Sequence, residues 1–194
     1  MRAIAVILIL AAAGWRILAV HAPELANFAP LMALAFCGGA YFRSWPMWLV
    51  PFVALGLSDF YLDRYYAAQF HYDFPLAEWL VRLLCFAAGL GLGRLASRRR
   101  SWLNLLGGIL GASVIFYLVT NTVEWRGDMG YVHSLAGWWQ AMTVGHPQYA
   151  PTLYFFRNTF ASDLLFTAGL ALAMEYVALR RGEFSLLDGA RQRN

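Results

Sequence analysis

Six apolar runs, most of them bounded by arginine or by clusters of Trp, Tyr and Pro, constrain this chain more than anything else in it. They cover 3–20, 28–43, 46–62, 75–94, 103–121 and 159–179. A helix needs about 20 apolar residues to cross a hydrocarbon core of about 30 Å. There it satisfies its own backbone hydrogen bonds, which lipid cannot do. Composition leaves little room for a soluble alternative, because 60% of the residues are hydrophobic and only 13% charged. A soluble domain carries about 25% charged residues, most of them on its wet surface. The reading is one all-α domain, 1–194, a polytopic bundle of six transmembrane helices. The second and third runs are short and separated by little more than Arg43, Ser44 and Trp45, so a tight turn with tilted or partly re-entrant helices is expected there. The first run weakly matches a signal peptide through Arg2 and Ala11-Ala12-Ala13. It continues to Val20 with Arg16 its only interruption, and is read as a retained helix.

Charge sets the orientation. All 15 basic residues are arginine. The turn after the fourth run reads Arg-Leu-Ala-Ser-Arg-Arg-Arg over 94–100, and the tail carries Arg180, Arg181, Arg191 and Arg193. Arginine-rich loops stay in the cytoplasm. Six alternating helices then place Arg2 and Arg43 on the same side, with both termini cytoplasmic in a bacterial cytoplasmic membrane. The opposite side receives 21–27, 63–74 and 122–158, which hold His21, His71, His133 and His146. Within 122–158, Leu135, Trp138, Trp139 and Met142 fall at helical spacing, as in a short helix lying at the membrane interface.

Several functions are excluded or unsupported. No stretch interleaves basic and aromatic residues as a nucleic-acid surface does. No phosphate-binding loop is present to fuel active transport. Neither a Ser-His-Asp order nor His-Glu-x-x-His stands out, and four histidines scattered over three loops make no zinc signature. Cys37 and Cys85 lie inside apolar runs, without the spacing of a disulfide framework.

Charged groups inside spans are costly and mark functional sites or their supports. In the fourth run Glu78, Arg82 and Cys85 fall at i, i+4 and i+7 on one helix face, with Gly89 a turn further in. Glu78 and Arg82 can pair along the helix, and a neighbouring arginine favours the thiolate form of Cys85. The bland reading is a packing ion pair with Cys85 as filler. Asp59, Asn121, Arg157, Asn158 and Asp163 all lie toward the outward ends of their helices. They either converge on a polar site at the mouth of the bundle, or pair among themselves (Asp59 and Asp163 with Arg157) and fix register. Arg16 has the depth to meet Asp163 or Glu78. Tyr61, Tyr65, Tyr66, Phe70, Tyr72 and Phe74 form an aromatic run around Asp63, Arg64 and His71 in the outward loop. That run suits either a large flat ligand or an interfacial belt.

Asn27-Phe28-Ala29-Pro30 through Gly38-Gly39-Ala40-Tyr41-Phe42, then Val50-Pro51 through Ser58-Asp59, resemble a family of small six-helix bacterial membrane proteins. Phe116-Tyr117-Leu118-Val119-Thr120-Asn121 and Phe156-Arg157-Asn158-Thr159 through Asp163 extend the match over roughly 27–175. The family is that of the substrate-binding S-components of energy-coupling-factor vitamin transporters, and the best fit is its solitary BtuM type, which takes up cobalamin. The resemblance implies a cysteine in a membrane helix that ligates the corrin cobalt, and Cys85, in Leu84-Cys85-Phe86-Ala87-Ala88-Gly89, stands at the matching place. A soft thiolate suits a transition-metal centre, and a strong axial donor weakens the bond opposite. Cys85 is therefore also the candidate catalytic residue for decyanation of cyanocobalamin.

The expected site has Cys85 as floor and cobalt ligand, flanked by Arg82, with Asp59, Tyr72, Asp73, Asn121, Trp125 and Arg157 as further ligand-binding residues. Its partners are cobalamin, the lipid bilayer and, in docking S-components, an energy-coupling membrane and ATPase module. Such docking uses Ala-x-x-x-Ala on the first helix. The only nearby pair here, Ala22 and Ala26, lies beyond the span and brackets Pro23, which favours a transporter acting alone. The rivals are an S-component-like carrier for another small nutrient, with Cys85 structural, and a membrane thiol enzyme with Cys37 as resolving cysteine.

Overall fold

The computed structural model describes residues 2–42, 44–71, 76–99, 101–182 and 185. Every regular element among them is helical. In chain order these are α1 (Arg2–Ala19), α2 (Leu31–Tyr41), α3 (Trp45–Phe70), α4 (Leu76–Ala96), α5 (Trp102–Gly127), α6 (Leu135–Met142) and α7 (Thr152–Arg180), with single 3-10 turns at Pro23–Leu25 and Ser97–Arg99. Of these, α3, α4, α5 and α7 are long and apolar enough to cross a membrane, while α1 and α2 are shorter apolar helices. Large apolar side chains such as Leu57, Leu84, Leu103, Leu165 and Leu172 point outward along them. A shell of exposed leucines over long helices defines an α-helical membrane protein, since water would not tolerate so continuous an apolar surface.

Each apolar run of the sequence contains a helix, but the ends differ. The third run continues as helix to Phe70, the fifth to Gly127, and the last begins at Thr152 rather than 159. Tyr61, Tyr65 and Tyr66 therefore stand on α3 and not on a loop. Polar residues such as Asp63, Arg64, Glu124 and Arg126 do not interrupt these helices, because the intrahelical hydrogen bonds continue beyond the apolar stretch. The interfacial helix expected in 122–158 is α6, capped by Ser134, whose side chain accepts from the Gly137 N–H.

At the centre lies α2. Its residues from Leu31 to Ala40 are all buried, and a helix apolar on every side belongs inside a bundle. At 11 residues it is about 16 Å long, roughly half a membrane thickness. It packs most tightly on α4 across two glycines. A methyl group on Gly39 would strike the backbone carbonyl of Leu90, and one on Gly93 would strike that of Phe36. Glycines at such a crossing let two backbones approach closely. Contact pairs fix the helix directions. Met32 meets Gly89, while Phe36 meets Gly93, so α2 and α4 run parallel. Gly38 meets Pro51 and Trp48 Nε1 donates to the Phe42 carbonyl, so α3 runs back. Hydrogen bonds from Arg16 to the Ser58–Asp59 pair and between His21 and Tyr61 align α1 with α3. Ser113 meets Asp163 and Tyr117 stacks on Phe156, so α5 and α7 are antiparallel.

Candidate functional site

Two polar knots hold the bundle, and both use charges buried among apolar helices. The first joins α1 to α3. Arg16, 5% exposed, donates to Asp59 Oδ1 at 2.7 Å and to Ser58 Oγ at 2.5 Å. A buried arginine is tolerable only when its charge is met, and Asp59 meets it directly. Asp59 thus pairs with Arg16 and not with Arg157, and the partner expected for Arg16 from Asp163 or Glu78 is Asp59 instead. One turn further along α3, Asp63 receives Arg82 of α4 at 3.3 Å. Arg82 therefore reaches across to α3 as well as lying on the Glu78–Cys85 face.

The second knot joins α7, α5 and the start of α2. Asp163 is fully buried; it accepts from the Ala33 N–H at 2.9 Å and from Ser113 Oγ at 2.7 Å. Pro30 is the N-cap of α2 and offers no side-chain cap, so the helix takes its capping carboxylate from 130 residues downstream. A carboxylate at a helix N-terminus satisfies orphan N–H groups and meets the positive end of the dipole. The approach to α2 is pinned by the same face of α7. Asn158 Nδ2 donates to the Ala26 carbonyl, Thr159 Oγ1 to Asn27, and Ser162 Oγ to Ala29. Asn27 adopts φ 59°, a left-handed turn that asparagine accepts more readily than most residues. Trp15 Nε1 closes the segment from α1 by donating to the Phe28 carbonyl. This knot was missed as a unit in the sequence. Its signal is the run of Asn158, Thr159, Ser162 and Asp163 at helical spacing on an otherwise apolar span.

Cys85 lies on the buried face of α4 with Phe86, Gly89 and Gly93, is 4% exposed, and is a free thiol. Arg82 stands one turn nearer the start of α4. Near the C-terminal end of α5 and the start of α7 the remaining candidates make local contacts. Asn121 Nδ2 donates back to the Tyr117 carbonyl of its own helix, and Trp125 Nε1 donates to Val132 while its ring meets His133 edge-on. Arg157 is exposed; its guanidinium lies 4.5 Å from the Tyr154 ring centroid and donates to Asn158 Oδ1. Tyr117 donates to the Met142 carbonyl and Trp138 to Thr122 Oγ1, which fixes α6 over this end. In the loop before α6, burial, with Asp128 nearby, pushes the Tyr131 phenol above its ordinary pKa. Tyr72, Asp73 and Phe74 lie outside the described residues, as do Arg43, Arg100, Arg191 and Arg193.

The structure thus places Asp59 and Arg82 in ion pairs joining α1, α3 and α4, with Cys85 one turn from Arg82 on α4. Asn121, Trp125 and Arg157 fall on α5 and α7. A groove of about 370 Å³ opens between α1 and α7, lined by Ala11, Ala12, Trp15, Phe166 and Gly169 among others, and Cys85 is not part of its wall. No group of three or more His, Cys, Asp and Glu side chains gathers to hold a metal ion among the described residues.

Fold and knots together define an α-helical membrane protein whose bundle is locked by a buried ion pair and a buried carboxylate around a short central helix. The chain belongs to a family of unknown function, DUF6580, whose model matches residues 1–185. No curated protein and no solved structure matches it.

Proposed function

We propose that this protein crosses the bacterial cytoplasmic membrane six times with both termini inside, and that it binds cobalamin from the outer side as a solitary S-component-like transporter. Alternation of helix direction supports the six crossings, with α2 as a half-length helix preceded by the non-helical 26–30 segment. The observation that carries the ligand reading is Cys85, a free thiol on the buried face of α4, one turn inward of an arginine held in place by Asp63. Once deprotonated by binding, the Cys85 sulfur is a soft ligand for cobalt. Access to cobalt requires the outer ends of α3 and α4 to part, and Tyr65, Tyr66 and Trp125 then offer ring faces to the corrin. Sulfur ligation of one axial position favours loss of cyanide from the other.

The test is the visible spectrum of protein purified after incubation with cyanocobalamin. Wild type is expected to retain a coloured ligand with a shifted cobalt band, and Cys85→Ala to lose the shift. A vitamin that binds equally well with an unshifted band in both proteins would remove cobalt ligation. Decyanation that continues unchanged in Cys85→Ala would remove the chemical role, and colourless wild type would remove cobalamin altogether.

A further inference from the structure

The buried face of α7 continues past the second knot as a column of polar groups opposite α2. Asp163 faces the α2 N-terminus at Ala33. One turn on, Thr167, fully buried, lies beside the Cys37 thiol. Further along, Glu175, 7% exposed, lies beside the Tyr41 hydroxyl and receives a hydrogen bond from Ser185. On α2 the partners are Ala33, Cys37 and Tyr41, at i, i+4 and i+8. The two helices therefore present matching polar rows along one seam. From Asp163 to Glu175 the row on α7 extends about 18 Å, more than half of the hydrocarbon thickness, and Asn158 and Thr159 carry polar groups on toward the start of the helix.

Register alone would be served by pairs that are satisfied, as Arg16–Asp59 is. This seam differs in its middle. Thr167 Oγ1 and Tyr41 Oη are buried and make no hydrogen bond of good geometry, with the Cys37 thiol beside the first and the Glu175 carboxylate beside the second. Between Cys37 and Tyr41 sits a void of about 10 Å³, walled by Ala5, Ile9, Phe42, Leu170 and Met174. That is about the space of one water molecule, which would find the thiol and the phenol as partners. Orphaned hydroxyls in lipid-embedded protein are expensive, and chains of carboxyls and hydroxyls across a bundle are the usual form of a proton relay. Other groups facing the seam are Ser113 from α5, which donates to Asp163, and Arg16 from α1, whose charge acts on Asp163.

We infer that the α2–α7 seam is a proton path across the bundle, from Asp163 through Thr167, Cys37 and Tyr41 to Glu175. Each transfer breaks one O–H or S–H bond and makes another, so no co-reactant is consumed and the flux follows the electrochemical gradient of the proton. The inference is independent of cobalamin and can be tested without it.

The full chain is reconstituted into vesicles enclosing a pH-sensitive dye, and a potassium diffusion potential is imposed. Wild type is expected to acidify the vesicles faster than protein-free vesicles do. Thr167→Val leaves the Asp163 cap untouched, and Glu175→Gln keeps the shape of the inner end; each is expected to slow the flux by about tenfold or more. Tyr176→Phe, at an exposed position on the same helix, is expected to keep the wild-type rate. Vesicles with wild type no faster than empty ones would overturn the path, as would Thr167→Val and Glu175→Gln at the wild-type rate, or an equal fall in Tyr176→Phe. Should Thr167→Val fail to fold, Glu175→Gln decides by itself.

Discussion

A single methyl group added at Gly93 tests the central packing of the bundle. It would stand 2.8 Å from the Phe36 carbonyl carbon and 3.1 Å from the Ala40 nitrogen, and nearer still to the Phe36 oxygen. These obstacles are backbone atoms of a helix buried on every side, so no rotamer change relieves them, and α2 and α4 must part by more than about 1 Å. A gap of that size forfeits up to about half of each dispersion contact along the seam. Overpacking of well-filled interiors costs about 1–3 kcal/mol, and a backbone obstacle places Gly93→Ala at or above the top of that range. Alanine also gains about 1 kcal/mol of helix propensity over glycine, leaving a net loss of about 2 kcal/mol. At about 2–4 °C per kcal/mol for a chain of this length, Tm falls by about 4–8 °C. The control is Gly91→Ala on the same helix, where nothing lies within 4 Å of the added methyl; it gains the propensity without the clash and is expected to melt at or above wild type. The assay is built into the chain, because Cys37 and Cys85 are both free and buried. A thiol-reactive fluorophore added to detergent-solubilised protein therefore reports unfolding as the temperature rises. Equal shifts in Gly93→Ala and Gly91→Ala would refute the close α2–α4 crossing.

Asp59→Ala leaves Arg16 buried without its counter-charge and is expected to cost about 3–5 kcal/mol, whereas the double change Arg16→Leu with Asp59→Leu recovers most of the loss, because an apolar pair replaces a buried ion pair at little cost; the same thermal assay reads both. Trp15→Phe removes the hydrogen bond to the Phe28 carbonyl and should cost about 1 kcal/mol, seen as a Tm lowered by a few degrees. In a Cys37→Ala, Cys85→Ala background, Met129→Cys, at a position 98% exposed in the loop after α5, is expected to react with a membrane-impermeant thiol reagent on intact cells. Arg98→Cys, at the opposite end of α4, should react only after the membrane is opened; the reverse pattern would invert the topology.

The helices were legible in the sequence because hydrocarbon imposes one requirement at every depth, and apolar length records it. Their ends were not. Asp63 and Arg64 read as loop, yet α3 runs through them, since leaving the hydrocarbon removes the need for apolar residues without removing the helix. The run 28–43 concealed the opposite departure: only 31–41 is helical, and Asn27 to Pro30 is held in another conformation by side chains of α7. The choice of partner was the least legible property. Arg16 could meet any acid of similar depth, and which one it met was decided by the crossing of α1 on α3, which depends on shape and leaves no trace in spacing. Asp163 was visible as an anomaly inside a span, but its task at the start of α2 required a structure in which 130 residues of chain had returned.

That return governs the order in which the protein can be made. While α2 leaves the ribosome, the hydroxyl, amide and carboxylate groups that complete its first turn are still untranslated. A nascent chain cut short before Asn158 would carry amides at the head of α2 with nothing to receive them. The early helices must therefore be held by the insertion machinery, or stay near water, until the last one arrives to close the bundle.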